Sequence, residues 1–320
     1  RHTRYWRDWS SDVCSSDLWR HHVEGGRDNC HRRHLRYRLF VLDREIHDRH
    51  AHVHDPEVIR SRDQFADSDA WFAVQNPPGT RRLSSPRRLL RAMEVAGVSR
   101  ADALSFGWRD HAQCVARNDA VIEMRRALAA ADSSRLRWFG AVNPAAGRLA
   151  AEEVARLAAH GFCGVGELFP DGQGFDVTDR ATMAPFLEVC DAHNFVVLIH
   201  ASDPDGPAYA GRDTTVPAKV SAFLEIVGEV APELRLVMAH LGGGLPFYAD
   251  DVEVRRSIER THVIFDTAAC AYLYPPTRLR EAHVRCPGRI VFGSDHPISA
   301  LSKSLRWVRD AHIDPHDLRA

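Results

Sequence analysis

The sequence of 320 residues has little lysine, no long apolar run and no clustered cysteine pair. Lysine occurs only at Lys219 and Lys303, whereas lysine and arginine together number 42. No run approaches the roughly 20 apolar residues that a membrane-spanning helix needs. The formal net charge is −1, which gives no general reason to expect nucleic acid or a membrane as a partner.

The 7 cysteines are scattered, without a C-x-x-C pair or the spacing of a disulfide framework. We therefore predict reduced thiols in a cytoplasmic protein. Cys163 and Cys190 lie in apolar stretches and are predicted to fill the core rather than to act in catalysis or redox sensing. A chain of this length can form one large α/β barrel or two ordinary domains.

Residues 1–42 differ in composition from the rest of the chain. Arginine, histidine, tryptophan and serine crowd there without periodicity, and the segment DWSSDVCSSDLW resembles a translated sequencing adapter. We expect this segment to be non-native or disordered, so its histidines carry no functional information. The alternative is a basic, histidine-rich arm that binds nucleic acid or metal.

Residues 43–320 are expected to form the folded domain. Near its end, the sequence IDPHDL indicates a helix start with Asp314 as the N-cap. Because the chain ends within this predicted helix, we expect the domain to be truncated at its C-terminus.

From Asp43 onward, strand-like and helix-like segments alternate. Amphipathic helices are predicted within 85–97, 109–132, 147–161, 180–194 and 216–232. Apolar runs predict strands at 45–52, 102–106, 136–142, 162–168, 195–200, 235–240, 262–267 and 289–294. Eight such strands alternating with helices favour a distorted (β/α)₈ TIM barrel over an open doubly wound sheet.

Metal-binding residue types end several of these predicted strands. In a closed barrel the strand ends converge on one axis, whereas an open sheet would spread them over about 20 Å or more at roughly 4.8 Å per strand. The convergence therefore also favours the barrel. Long loops rich in Gly, Pro and Asp follow the fourth and fifth strands, which is typical of functional lids.

His50 and His52 form a His-x-His pair at the end of the first strand. Side chains alternate faces along a strand, so both rings face the same way and one ion can contact both. His200 ends the fifth strand and is predicted to be a third ligand. His54 lies beyond the strand end and is predicted to be a loop residue.

His240 and Asp295 end the sixth and eighth strands. His240 precedes three glycines, which let the backbone turn sharply and approach a ligand closely, and it is predicted to have a catalytic or coordinating role. Asp295 is predicted both to bind the ion and to accept a proton. His296 points to the opposite face and is predicted to support the site or the fold.

Five other side chains have weaker assignments. Glu167 ends the fourth strand and could bridge ions, contact substrate or be structural, while Arg212 could bind an anionic substrate. Asp266 is expected to be structural, and the rim residues Tyr272 and Tyr274 are expected to be packing or surface residues. No lysine occupies the fourth strand, so a carbamylated lysine cannot bridge two ions there, and we expect a single-ion site.

As an ordered set, DRHAHVH, VVLIHAS, MAHLGGGLPFY, FDTAA and IVFGSDHP resemble the amidohydrolase superfamily. The resemblance is to its amidohydrolase-related branch, which also holds aminocarboxymuconate-semialdehyde and hydroxybenzoate-type decarboxylases. It implies a distorted barrel of the metal-dependent hydrolase type with one divalent ion, usually zinc. The implied ligands are His50, His52, His200 and Asp295, with His240 near the substrate.

The leading hypothesis is a metal-dependent hydrolase acting on an ester, lactone or amide of a small molecule. The ion would activate water, Asp295 would accept a proton and His240 would polarise the scissile carbonyl. The alternative is non-oxidative decarboxylation of an aromatic or enol acid with the same ligands. A third class is a metal- or nucleic-acid-binding protein that uses the basic N-terminal segment. A homo-oligomer is compatible with the sequence.

Overall fold

The computed structural model describes residues 45–77, 79 and 83–318, so residues 1–42 and the predictions made for them lie outside the described part. Within it, eight parallel strands pair in chain order to form one sheet. The strands are β1 (His47–His52), β2 (Arg100–Leu104), β3 (Leu136–Gly140), β4 (Gly164–Leu168), β5 (Val196–Ile199), β6 (Arg235–Met238), β7 (His262–Asp266) and β8 (Ile290–Val291).

Helices follow most strands. Those of the first half are α1 (Pro56–Arg60), α2 (Arg62–Ser68), α3 (Ala70–Gln75), α4 (Pro86–Ala96), α5 (His111–Arg126), α6 (Ala130–Ser133) and α7 (Arg148–Ala159). Those of the second half are α8 (Pro170–Gln173), α9 (Arg180–Ala192), α10 (Pro217–Val230), α11 (Ala239–Gly242), α12 (Val252–Glu259), α13 (Cys270–Leu273), α14 (Pro276–Arg285) and α15 (Leu301–Asp310). Short 3₁₀ turns lie at Pro144–Ala146, Leu245–Tyr248 and Pro315–Asp317.

The sheet closes between β1 and the segment after β8. The Arg49 amide donates to the Phe292 carbonyl at 2.8 Å, and the Asp295 amide donates to the His50 carbonyl at 2.9 Å. Buried Asp48 reinforces the seam by accepting hydrogen bonds from the amide and hydroxyl of Ser294. The result is a nearly closed (β/α)₈ barrel, which confirms the predicted fold class.

The eight predicted strands and five predicted helices form near their predicted positions, whereas α12, α14 and α15 lie in segments for which no helix was predicted. All four residues of β5 are buried, as expected for a parallel strand covered on both faces. Helix α4 buries Leu89, Leu90 and Met93 on one face, and the Ser85 hydroxyl caps its N-terminus. Strand β8 is much shorter than the predicted 289–294, because the residues after Val291 leave β7 to close the barrel against β1.

Three short helices, α1 to α3, were not predicted. They place Phe65 and Phe72 against Trp108, with ring centroids 5.3 and 4.9 Å away respectively, and form a small second core. The signal for them was local: Asp55 and Asp69 each cap a helix of five or six residues, too short for a clear apolar period. Together they cover the loop side of the barrel near β1.

The end of the described chain holds a turn rather than a longer helix. Asp314 accepts a hydrogen bond from the His316 amide and caps the three-residue 3₁₀ turn. Among the described residues, none of the helices has the length and apolarity that crossing a membrane requires. The five described cysteines are free thiols, and Cys190 is buried in the main core.

Candidate metal centre

His50, His52 and Asp295 form one group of side chains at the carboxyl ends of β1 and β8. The two ring Nε2 atoms lie 3.1 Å apart. Asp295 Oδ1 lies 3.8 Å from Nε2 of His50 and 3.5 Å from Nε2 of His52. This oxygen is buried and has no hydrogen-bond partner among the described residues, so the group presents one carboxylate oxygen and two ring nitrogens to a common point.

Glu167, His200 and His240 form a second group at the ends of β4, β5 and β6. Oε1 of Glu167 lies 2.9 Å from Nδ1 of His200 and 3.5 Å from Nε2 of His240. The two ring nitrogens are themselves 3.1 Å apart. His200, which the sequence grouped with the His-x-His pair, therefore lies with Glu167 and His240.

The Glu167 carboxylate connects the two groups. While Oε1 faces His200 and His240, Oε2 lies 3.3 Å from Nε2 of His50 and 3.2 Å from Nε2 of His52. Glu167 is 2 % exposed, so neither oxygen is hydrated as a surface carboxylate would be. Three roles were considered for Glu167: bridging ions, contacting substrate or supporting the fold. Its location between the two groups favours the first two roles over the third.

The backbone after β6 adopts a left-handed turn that brings His240 into the site. His240 and Leu241 have φ angles of 57° and 56°, and Gly242 to Gly244 continue with positive φ. A Cβ atom on Gly243 would lie 2.7 Å from the carbonyl oxygen of Ser202. The glycines therefore allow the sharp turn that the sequence predicted, and the close approach they permit is to the loop after β5.

Asp266 connects three elements of the site. Its Oδ2 lies 2.8 Å from Nδ1 of His50, and its Oδ1 accepts hydrogen bonds from the amides of His240 and Ala268, both at 3.0 Å. The side chain is fully buried. Asp266 was expected to be structural, and in the structure it orients His50 and fixes the turn that carries His240.

The ring protonation pattern fits a cation. A carboxylate can only accept, so Asp266 keeps the proton of His50 on Nδ1 and leaves Nε2 as a lone pair. The Ala268 carbonyl does the same for His240, whose Nδ1 donates to it at 2.8 Å. Both lone pairs point into the cluster, where a divalent ion with nitrogen and oxygen ligands would relieve their mutual repulsion.

The carboxylates also make the cluster electrostatically favourable for positive charge. Burial opposes a charge on His50, but the Asp266 and Glu167 carboxylates outweigh it and raise the pKa of His50 well above its usual value. Burial likewise opposes a charge on His200, yet Asp213 and Glu167 raise its pKa to about 9. Burial would raise the pKa of Glu167, but His50 and hydrogen bonds from His200 lower it well below its usual value.

A cavity of about 320 Å³ opens beside the cluster. Glu167, His200, His240 and Asp295 all line it. The other lining residues are mainly aromatic or apolar: Phe169, Tyr209, Tyr272, Leu273, Ile298, Ala210, Ala269, Gly211 and Gln75. The volume is at the low end of the roughly 300–1,000 Å³ range of ligand pockets, so it suits a small molecule with an apolar body.

The predicted rim residues lie in different environments. Arg212 donates hydrogen bonds to the carbonyls of Pro204 and Gly206 in its own loop and is not among the residues that line the cavity. Tyr272 lines the cavity, and Lys303 Nζ lies 3.1 Å from its ring centroid. Tyr274 is buried and packs edge-on against Phe247 at 5.4 Å.

His54 and His296 lie away from the cluster, near Ser84. The His54 amide donates to the Ser84 carbonyl at 2.7 Å, and Nε2 of His296 lies 2.9 Å from the Ser84 hydroxyl. Burial lowers the pKa of His296 to about 4, so the ring is neutral near pH 7. His54 lies beyond the end of β1, as predicted for a loop residue, and the location of His296 is compatible with the supporting role predicted for it.

Two residues near the cluster were not predicted: Ser202 and Tyr209. The Ser202 hydroxyl lies 3.3 Å from Nε2 of His200 and 3.0 Å from the Tyr209 hydroxyl. Ser202 had a local signal, since it lies two residues after a predicted ligand. Tyr209 had none beyond its presence in a long loop, because loop conformation brings it back to the site.

A barrel with histidines and carboxylates gathered at the carboxyl ends of its strands, beside a cavity, is a metal-dependent enzyme. A sequence model of the amidohydrolase family matches residues 47–320, and the chain belongs to that family. A search of curated proteins found no match.

Several solved structures share the fold. The chain resembles 5-carboxyvanillate decarboxylase LigW from Sphingomonas paucimobilis, with a TM-score of 0.66, 15% identity and coverage of 86% of this chain and 96% of that one. For 2,6-dihydroxybenzoate decarboxylase from Rhizobium the TM-score is 0.59, the identity 16% and the coverages 85% and 94%. For a zinc-bound amidohydrolase from Burkholderia multivorans the TM-score is 0.53 and the identity 16%, with coverage of 83% of this chain and 90% of that one.

Replacement of Asp266 by asparagine is expected to weaken metal binding roughly 10–100-fold. Asparagine has only one acceptor oxygen. If its NH₂ group faces Nδ1 of His50, that ring loses the acceptor for its proton; if it faces the other way, the amides of His240 and Ala268 lose theirs. Competition with a zinc chelator measures the change. Asp67→Asn, on an exposed position of α2, is the matched control, and equal zinc affinity of the two variants would contradict this role.

Proposed function

We propose that this amidohydrolase-family enzyme is a metal-dependent, non-oxidative decarboxylase of a small aromatic or enol carboxylic acid. The observation that carries the proposal is the cavity beside Glu167, His200, His240 and Asp295, whose walls include the rings of Phe169, Tyr209 and Tyr272. Such walls suit one planar ring. The similar structures named as 5-carboxyvanillate and 2,6-dihydroxybenzoate decarboxylases support the same choice.

In this reaction the bond between the ring carbon and the carboxylate carbon breaks. The electron pair stays on the ring carbon, carbon dioxide leaves, and one proton is delivered to that carbon. When bound, the divalent ion supplies Lewis-acid stabilisation of negative charge on the substrate oxygens. We assign the proton delivery to Asp295, because its Oδ1 is buried at the cavity and has no hydrogen-bond partner among the described residues.

We propose zinc as the ion, since the donor set combines imidazole nitrogens with carboxylate oxygens. His50, His52 and Asp295 would hold one ion. Glu167 with His200 and His240 would hold a second, with Glu167 shared. This proposal revises the expected single-ion site. The absence of lysine from β4 excludes a carbamylated lysine between two ions. A glutamate with one oxygen toward each group could take that place.

Hydrolysis of a lactone, ester or amide, the leading hypothesis from the sequence, is the second candidate. One observation favours it: Arg212, the rim cation that could clamp a substrate carboxylate, donates instead to carbonyls of its own loop. Asp295 would then accept a proton from the attacking water, and His240 would stabilise the developing oxyanion.

Labelled-solvent assays on the zinc-loaded protein distinguish the two reactions. Hydroxybenzoic acids in D₂O are expected to give a product with one deuterium at the carbon that carried the carboxylate. Lactones and esters in oxygen-18 water are expected to remain unchanged. Mass spectrometry measures both. Turnover of the lactones or esters alone, with one labelled oxygen in the product, would overturn decarboxylation in favour of hydrolysis, and no turnover of any compound would overturn both.

We further propose a small-molecule substrate as the main partner, with no role for nucleic acid or a membrane, and action in the cytoplasm. The free thiols of the five described cysteines and the near-neutral net charge support these proposals.

A further inference from the structure

A chain of hydroxyl groups lies behind His200, on the side away from Glu167. Nδ1 of His200 faces Glu167 at 2.9 Å, whereas its Nε2 faces the Ser202 hydroxyl at 3.3 Å. The Ser202 hydroxyl also lies 3.0 Å from the Tyr209 hydroxyl and accepts a hydrogen bond from the Asp213 amide at 3.0 Å. The Ser202 hydroxyl therefore has three hydrogen-bond partners. Because it has two lone pairs and one hydrogen, the direction of each hydrogen bond can be worked out.

The assignment of these directions assumes that His200 binds an ion, and it therefore rests on the proposed function. If Nδ1 binds the ion, the ring proton must be on Nε2, which then donates to Ser202. The Asp213 amide occupies the second lone pair of the Ser202 oxygen. With both lone pairs used, Ser202 can only donate to its third partner, the oxygen of Tyr209.

Tyr209 consequently keeps its own hydroxyl hydrogen free. Ser202 is the hydrogen-bond partner of this hydroxyl among the described residues, and the Tyr209 side chain lines the cavity beside the cluster. Burial raises the pKa of the phenol above its ordinary value, so the group remains a donor at any working pH. This hydrogen is therefore available to an acceptor that enters the cavity with the substrate.

We propose that Tyr209 is a substrate-binding and catalytic residue that donates its hydroxyl hydrogen to an anionic oxygen of the substrate, and that Ser202 is the positioning residue that fixes this direction. The phenol thereby stabilises negative charge on the substrate. Tyr209 acts as a preorganised donor of the kind that stabilises oxyanions. An ion held by Nδ1 of His200 would fix the direction of these hydrogen bonds, with Ser202 as donor to Tyr209.

Tyr209→Phe tests the role, because it keeps the ring and removes the hydroxyl. Binding of a hydroxybenzoate to the zinc-loaded protein, measured by calorimetry, is expected to weaken roughly tenfold or more. Turnover is expected to fall about 100-fold, while zinc content and melting temperature remain those of the wild type. Tyr248→Phe, at a half-exposed position of a 3₁₀ turn, is the matched control.

Ser202→Ala separates positioning from packing. Alone it is expected to lower turnover by a smaller factor than Tyr209→Phe, and in the Tyr209→Phe background it is expected to cause little further loss. A purely structural Ser202 would instead give additive losses and a lower melting temperature.

The outcomes also separate this inference from the proposed function. Wild-type turnover of any compound in the panel, together with equal turnover by Tyr209→Phe, would overturn the role of Tyr209 and leave the function standing. A zinc-loaded wild type that neither binds hydroxybenzoate nor turns over any compound would overturn both.

Discussion

Replacement of Glu167 by glutamine is expected to remove at least one zinc ion per chain and to lower turnover more than about 100-fold. The two carboxylate oxygens face different groups, at 2.9 Å from Nδ1 of His200 and 3.2 Å from Nε2 of His52. Glutamine is neutral and has one acceptor oxygen, so both groups lose the negative charge and one of them also loses its acceptor. Loss of an outer-shell partner alone costs roughly 10–100-fold in affinity or activity, and Glu167 contacts the histidines directly.

Elemental analysis of zinc after dialysis measures the change. The wild type is expected to retain two ions per chain and Glu167→Gln no more than one. Glu188→Gln, at an exposed position of α9, is the control for the chemical change itself. A Glu167→Gln protein that retains the wild-type zinc content and turnover would show that Glu167 is a structural carboxylate.

Replacement of Asp295 by asparagine is expected to lower turnover about 10³-fold, within the range that general acid–base groups contribute. Burial would raise the pKa of Asp295, but the neighbouring His52 ring and the charge of His50 lower it. The carboxylate is thus held ionised beside the cavity, so it must first accept a proton, from water or from a substrate hydroxyl, before it can deliver one to the ring carbon. Asparagine cannot carry that proton, although it fills nearly the same space.

The assay is run at saturating zinc, so that loss of a ligand is distinguished from loss of proton transfer. Under that condition, restored zinc content without restored turnover is the expected result. Asp310→Asn, at the exposed end of α15, is the control. Full activity of Asp295→Asn at saturating zinc would assign the proton to another group, with His240 the next candidate.

The alternation of strands and helices in this chain could be predicted because each element carries its own period. Strands β4 to β6 are mostly apolar and are buried almost throughout. Helices α1 to α3 were harder to predict because they are too short for a clear apolar period. Strand β8 was harder because its bounds depend on contacts with distant residues. Phe292, for example, receives a hydrogen bond from Arg49 rather than extending β8.

The candidate site divides in the same way. His50 and His52 were predicted from their spacing together with their place at a strand end and the later strand-end residues, since two residues apart on a strand means the same face. The roles of Glu167 and Asp266 could not, because a carboxylate at a strand end looks alike whether it caps a turn or connects two groups of histidines. Arg212 illustrates the converse, since its guanidinium binds carbonyls within its own loop.

By itself, the sequence determined that this chain forms a barrel and which strands end in histidine or carboxylate side chains, because local periodicity and residue type are properties of neighbouring residues. Only the tertiary structure decided how those side chains are grouped, that Glu167 lies between the two groups, and that Tyr209 returns to the cavity. These relations join residues from five different strands and a long loop, and their distances are set by barrel closure and loop packing, which no local pattern encodes.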